Sequence, residues 1–286
     1  MSAILQAFKD ADLRKKIIFT LVMIILYRVG AQIPSPGVDY ATIAGRLRDL
    51  TEESGNLYSV INLFSGGALL QLSIFAIGIM PYITASIIVQ LLTVVIPHFE
   101  QLKKEGQSGQ AKMTQYTRYL TLALALLQSA GIVALADREQ LLGQGVRVLA
   151  EDRNFFTLVV LVITMTSGAI LVMWMGELIT EKGIGNGMSL LIFAGIATRL
   201  PTDGVNIFQN NGGLVFAMVL TGLIVLVAGI TFIEQGQRRI PVQYAKRMVG
   251  RRQYGGSSTY LPLKVNQAGV IPVIFASSLI YMPVLI

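Results

Sequence analysis

The sequence predicts an all-α integral membrane protein, and three observations carry that expectation. Of its 286 residues 53% are hydrophobic and only 14% charged, with a mean hydropathy of +0.62; soluble domains carry about 25% charged residues. Seven apolar segments recur, at roughly 17–33, 72–96, 117–136, 155–175, 188–200, 214–233 and 268–286. Finally, 16 of the 23 Lys and Arg lie in or beside the N-terminus and the loops 97–116, 176–187 and 234–267. An excess of Lys and Arg marks the cytoplasmic side, so the N-terminus is expected there.

Composition also excludes whole classes of chemistry. There is no cysteine, hence no disulfide, thiolate nucleophile or cysteine-ligated metal. His98 is the one histidine and builds no multi-histidine site. No P-loop and no Gly-x-Ser-x-Gly elbow occurs, so neither ATPase nor hydrolase chemistry is expected, nor any cofactor. The first 16 residues are charged and mixed, unlike a cleavable signal.

Taken in order, the first segment holds Arg28 and ends at Ile33-Pro34-Ser35-Pro36-Gly37, where neither proline donates to a helix. Ser54-Gly55-Asn56 then breaks the external loop 34–61. Residues 57–71, LYSVINLFSGGALLQ, are about one half-span long and read as a half-helix folded back into a cavity, or as a helix lying on the membrane. The stretch 62–97 is too long for one crossing, and Gly66, Gly67 and Pro81 are expected to break it. The fifth segment is short and is read as a span because counting it makes the charges alternate. Gly183-Ile184-Gly185-Asn186-Gly187 lacks the strand a dinucleotide site needs and reads as a turn that lets this helix begin abruptly. The chain stops inside or at the end of an apolar run, so a partial chain is expected.

Carboxylates are nearly absent from the spans, which disfavours an ion-coupled carrier with broken helices. An inert membrane scaffold is the other rival, and it needs no broken second span. Ile79 and Ile83 lie one turn apart beside Pro81 and share a face; an aliphatic ring of that kind gates a wet path by dewetting. The loop 234–267 interleaves Arg238-Arg239 and Arg251-Arg252 with Tyr244, Tyr254 and Tyr260. It reads as a protruding hairpin that docks ribosomal RNA or an acidic protein, or else as an anionic-lipid contact.

Long stretches then identify the family. YRVGAQIPSPGVD (27–39), NLFSGGAL (62–69), FAIGIMPYITASIIVQLLTVVIP (75–97), KKEGQSGQAKMTQYTRY (103–119), GELITEKGIGNGMSLLIFAGI (176–196), EQGQRRI (234–240), YAKR (244–247) and STYLPLKVNQAGVIPVIFASS (258–278) resemble the SecY family. Its members are central subunits of the bacterial protein-translocation channel. The resemblance implies a clamshell of two five-helix halves around an hourglass pore, of which this chain would hold seven of ten spans and a re-entrant plug. The first half would be 1–205, with the plug at about 57–72, and 206–286 would begin the second.

By the same resemblance the pore ring falls on Ile79, Ile83, Met188, Ile192 and Ile274, with Met188 replacing the usual isoleucine. The plug falls around Asn62, Phe64, Ser65, Gly66 and Gly67. Thr84, Gln90, Ser277 and Ser278 would be polar members of the lateral gate. Cytosolic partners would meet Lys103, Lys104, Arg238, Arg239, Lys246, Arg247, Arg251 and Arg252. The implied function is passage of unfolded secretory polypeptides across the cytoplasmic membrane and lateral release of apolar segments into lipid. The implied partners are the SecE and SecG subunits, the SecA ATPase, the ribosome with its RNA, the translocating polypeptide with its signal sequence, and membrane lipids.

Overall fold

The structure, a computed structural model, describes residues 10–39, 43, 67–69, 71–138, 148–149, 154–242, 247–249, 252–254 and 259–266. Two compact units contain them, one reaching Thr202 and one starting at Asp203. Of the sequence expectations, Asn62, Phe64, Ser65, Gly66, Lys246, Arg251, Ile274, Ser277, Ser278 and the whole segment 268–286 lie outside the described residues.

In the first unit, α1 (Ala11–Gln32) opens with Asp10, whose carboxylate accepts from the Asp12 amide at 3.2 Å. It stops at Ile33, which precedes Pro34 and is extended (φ −83°, ψ 114°), because a following proline disfavours the helical region. The chain then meets the strap that precedes the next helix. Ser35 N–H donates to the Leu72 carbonyl and Ile74 N–H to the Ile33 carbonyl, both at 3.0 Å, around a Pro34–Ser73 bridge. Leu72 is fully buried with φ +43°, a conformation that non-glycine residues adopt only under constraint.

Helix α2 (Met80–Val95) corrects the expected 72–96 span. Residues 71–79 are turns, and Pro81 stands in the first turn of the helix instead of interrupting it. Proline is favoured there because that amide has no helical partner anyway. At the far end Ile96, again preceding a proline, is extended and ends α2. Helix α3 (Pro97–Lys104) leaves at a bend of 100°. Helix α4 (Gln107–Asp137) follows after Gly106 at φ +72°, so the expected loop 97–116 is largely helical.

Helices α5 (Phe155–Lys182) and α6 (Gly187–Ala197) complete the unit. α5 is its centre, contacting α1, α4 and α6, while α2 packs on α4. Between α4 and α5 the Ser129 and Thr166 hydroxyls lie 2.8 Å apart, both buried, and each also bonds a carbonyl in its own helix. Interhelical hydrogen bonds inside membrane proteins contribute modestly. Thr166→Val should therefore lower stability by about 0.6–1.7 kcal/mol, read as a small shift in thermal unfolding of the detergent-solubilised protein.

Helix α7 (Leu200–Gln235), which from Asp203 onward belongs to the second unit, carries a non-helical break at Gly212 (φ +79°). Residues 201–211, which lie between the apolar segments 188–200 and 214–233, are thus helical up to that break. The strands after it form two antiparallel ribbons, β1 (Gln237–Val242) with β4 (Thr259–Lys264) and β2 (Arg247–Val249) with β3 (Arg252–Tyr254). The expected hairpin in 234–267 is present. Its base is held to α7 by Val265 N–H on the Gly236 carbonyl at 3.1 Å and by Asn266 on Glu234 at 3.2 Å.

Among the described residues three stretches are long and apolar enough to cross a membrane: α4, α5 and the run Gly187–Gln235. Counting the bent pair α2–α3 makes four. The 22 residues of α1 are apolar between Ile17 and Tyr27 but are flanked by Arg14, Lys15, Lys16 and Arg28.

Candidate functional site

Two helices bring four of the five expected ring residues together. Ile79 and Ile83 are four apart at the start of α2; Met188 and Ile192 are four apart at the start of α6. Residues so spaced stack on one helix face. All four belong to one apolar cluster, in which Ile79 is buried and Ile83, Met188 and Ile192 are partly buried. The cluster is backed by Val172, Met175 and Ile179 of α5 and by Tyr27 and Phe75, whose rings stack with centroids 6.0 Å apart. Close approach is possible because Gly176 of α5 lies under Met188, where a Cβ would collide with the Met188 sulfur.

Apolar side chains offer a passing chain no hydrogen bond and offer water none either. A narrow waist of this chemistry resists wetting and so resists ion flow.

The other expected site residues are more scattered. Gly67, the described member of the plug set, has φ +94°, and a Cβ there would lie 3.4 Å from the Arg199 guanidinium. Thr84 is buried, and its hydroxyl donates to the Met80 carbonyl at 3.0 Å in its own helix. Gln90 is exposed at the other end of α2, where its carbonyl accepts from Thr93. Thr84 and Gln90 are thus not brought together.

Lys103 and Lys104 end the amphipathic helix α3 and are exposed. Lys104 pairs with Glu100 at 2.6 Å; its hydrogen bond and charge hold the Glu100 carboxyl below the ordinary range. Exposed pairs of this kind add little stability. Arg238 and Arg239 stand opposite Leu263 and Pro262 in the ribbon. Being neighbours on a strand they point to opposite faces, and both are exposed. Arg247 and Arg252 lie on β2 and β3.

Sequence reading missed the polar residues behind the ring. Asn186 caps α6, Thr180 bonds the Gly187 amide, and Thr20 reaches the same turn from α1. The signal for Asn186 was available, an Asn standing just before an apolar run; Thr20 is 164 positions from its partner and gave none. Gln128 is buried in α4 with its side-chain oxygen unpartnered.

A family profile described as SecY matches residues 73–286. The chain belongs to the SecY family. The protein translocase subunit SecY of Corynebacterium glutamicum is 85% identical over 286 residues, all of this chain and 65% of that relative's length. A solved structure described as a protein-conducting channel superposes with a TM-score of 0.61 at 18% identity, over 95% of this chain and 57% of that one. Another, concerning the plug domain of SecY and the membrane seal of the closed channel, gives 0.60 at 19% identity, over 95% and 57%. At such identities the likeness establishes the fold: this is a helical, SecY-like membrane architecture.

Proposed function

We propose that the protein containing this chain is a protein-conducting channel that passes unfolded polypeptides across a membrane and releases apolar segments sideways into lipid. The carrying observation is the convergence of Ile79 and Ile83 from α2 with Met188 and Ile192 from α6 in one apolar cluster. The names of its relatives, translocase subunits and a protein-conducting channel, support the same reading. Ile274 is the natural fifth member of the ring, and the segment 62–72 its plug. Thr84, Gln90, Ser277 and Ser278 are proposed for the seam through which lipid is reached.

The division into halves near residue 205, the cytoplasmic N-terminus and the cytoplasmic-membrane location rest on the Lys and Arg distribution and on family resemblance. So do the SecE, SecG, SecA and ribosome contacts. The ribbon residues Arg238, Arg239, Arg247 and Arg252, together with Lys103, Lys104, Lys246 and Arg251, are the surfaces proposed for them. The channel lowers a barrier and transforms no bond; driving force comes from the partner.

Resting ion conductance of the full-length complex in planar bilayers tests this. The parent should pass little current. Ile83→Ser with Ile192→Ser, or deletion of 62–72, should raise it several-fold, because polar or absent side chains let the waist wet. Parent-level current in all of these variants would remove the channel reading.

A further inference from the structure

The turn between α5 and α6 is tied down at three points. Asn186 Oδ1 accepts the Met188 and Ser189 amides at 3.0 and 3.3 Å. Thr180 Oγ1 accepts the Gly187 amide at 2.9 Å while donating to the Gly176 carbonyl at 2.9 Å. Thr20 Oγ1 accepts the Ile184 amide at 3.2 Å and donates to Lys16. These bonds hold the backbone at Ile184, Gly187, Met188 and Ser189.

Steric fit narrows the placement further. A Cβ on Gly187 would overlap the Gly176 carbonyl, and one on Gly183 would sit 2.5 Å from Thr20 Oγ1. Toward α1 the packing is incomplete along part of the face. An apolar cleft of about 570 Å³ separates Ile17, Leu21 and Ile24 from Leu190 and Phe193. Across that cleft the tie to α1 is the directional Thr20–Ile184 bond.

We propose that Thr20, Thr180 and Asn186 are positioning residues that fix where Met188 and Ile192 stand, and so set how tightly the constriction closes at rest. This rests on the channel reading above. None of the three need touch a passing polypeptide; they act through the α6 N-terminus. Loss of one bond lets the first turn of α6 shift or fray, and the ring gains a looser, wetter state.

The test uses full-length protein in its assembled complex and resting conductance in planar bilayers. Thr180→Val keeps the shape and removes the acceptor; Asn186→Ala removes the cap. Each should raise the leak roughly fivefold, the worth of one hydrogen bond expressed as an equilibrium ratio. Thr180→Ser and Asn186→Ser, which keep an acceptor, should return it to near the parent level. Met188→Cys in a complex freed of any other cysteine adds an independent readout, and Thr180→Val in that background should speed its reaction with a thiol reagent.

Parent-level leak and unchanged thiol reactivity in assembled Thr180→Val would overturn the proposal, even where Asn186→Ala fails to assemble. If Ile83→Ser with Ile192→Ser leaks while Thr180→Val does not, only this inference falls. If none of these variants leaks and deletion of 62–72 does not leak either, the channel reading falls and takes this one with it.

Discussion

Replacing Gly168 with valine should cost roughly 3 kcal/mol or more, near the upper end of overpacking effects, and leave much of the protein unassembled. Gly168 sits in the middle of α5 where the strap leading into α2 passes across it. A Cβ there would overlap the Ile74 carbonyl oxygen and lie 2.8 Å from its carbon. That obstacle is main chain and cannot rotate away as a side-chain end would. The strap is also bonded to Ile33 and Ser35, so moving it disturbs α1 as well. Thermal unfolding of the purified protein should show a large drop for Gly168→Val and a smaller one for Gly168→Ala. Equal stability of Gly168→Val and parent would show that the strap does not lie against α5.

The second large effect is expected at the fork between α4 and α5. Arg118 Nε donates to Glu177 Oε1 at 3.0 Å and Nη2 to Oε2 at 2.8 Å. The Glu177 side chain is 18% exposed and that of Arg118 45%, so the carboxylate is the more desolvated partner. Arg118→Ala strands it and should destabilise by about 1–3 kcal/mol. Arg118→Lys should recover only part, since an ammonium cannot make the planar two-bond contact. In a double-mutant cycle with Glu177→Gln the two losses should fall short of adding, by at least 0.5 kcal/mol or so. Strict additivity would mean that the fork contributes nothing to stability.

Much of this architecture was legible because the bilayer imposes simple rules. Run length and Lys/Arg placement marked α1, α4 and α5 within a few residues of their cores, and the i,i+4 pair Ile79–Ile83 survived intact into the apolar cluster. The misreadings were also physical. Pro81 has opposite meanings in the middle of a helix and in its first turn, and apolarity alone does not tell turns 71–79 from the helix that follows them. The polar stretch 97–116 looked like a loop because hydropathy registers membrane residence, whereas helicity depends on local capping and packing. Arg118–Glu177 spans 59 positions and Thr20–Ile184 spans 164; one sequence carries no signal for such pairings.

The main-chain bonds joining Ile33 and Ser35 to Leu72 and Ile74, with the Pro34–Ser73 bridge, have a mechanical result. The segment entering α2 is sewn to the end of α1 and braced on α5, which also carries the turn that launches α6. Ile79, Ile83, Met188 and Ile192 are consequently anchored through one continuous network of main-chain bonds and packing centred on α5, so a disturbance of the strap reaches both pairs.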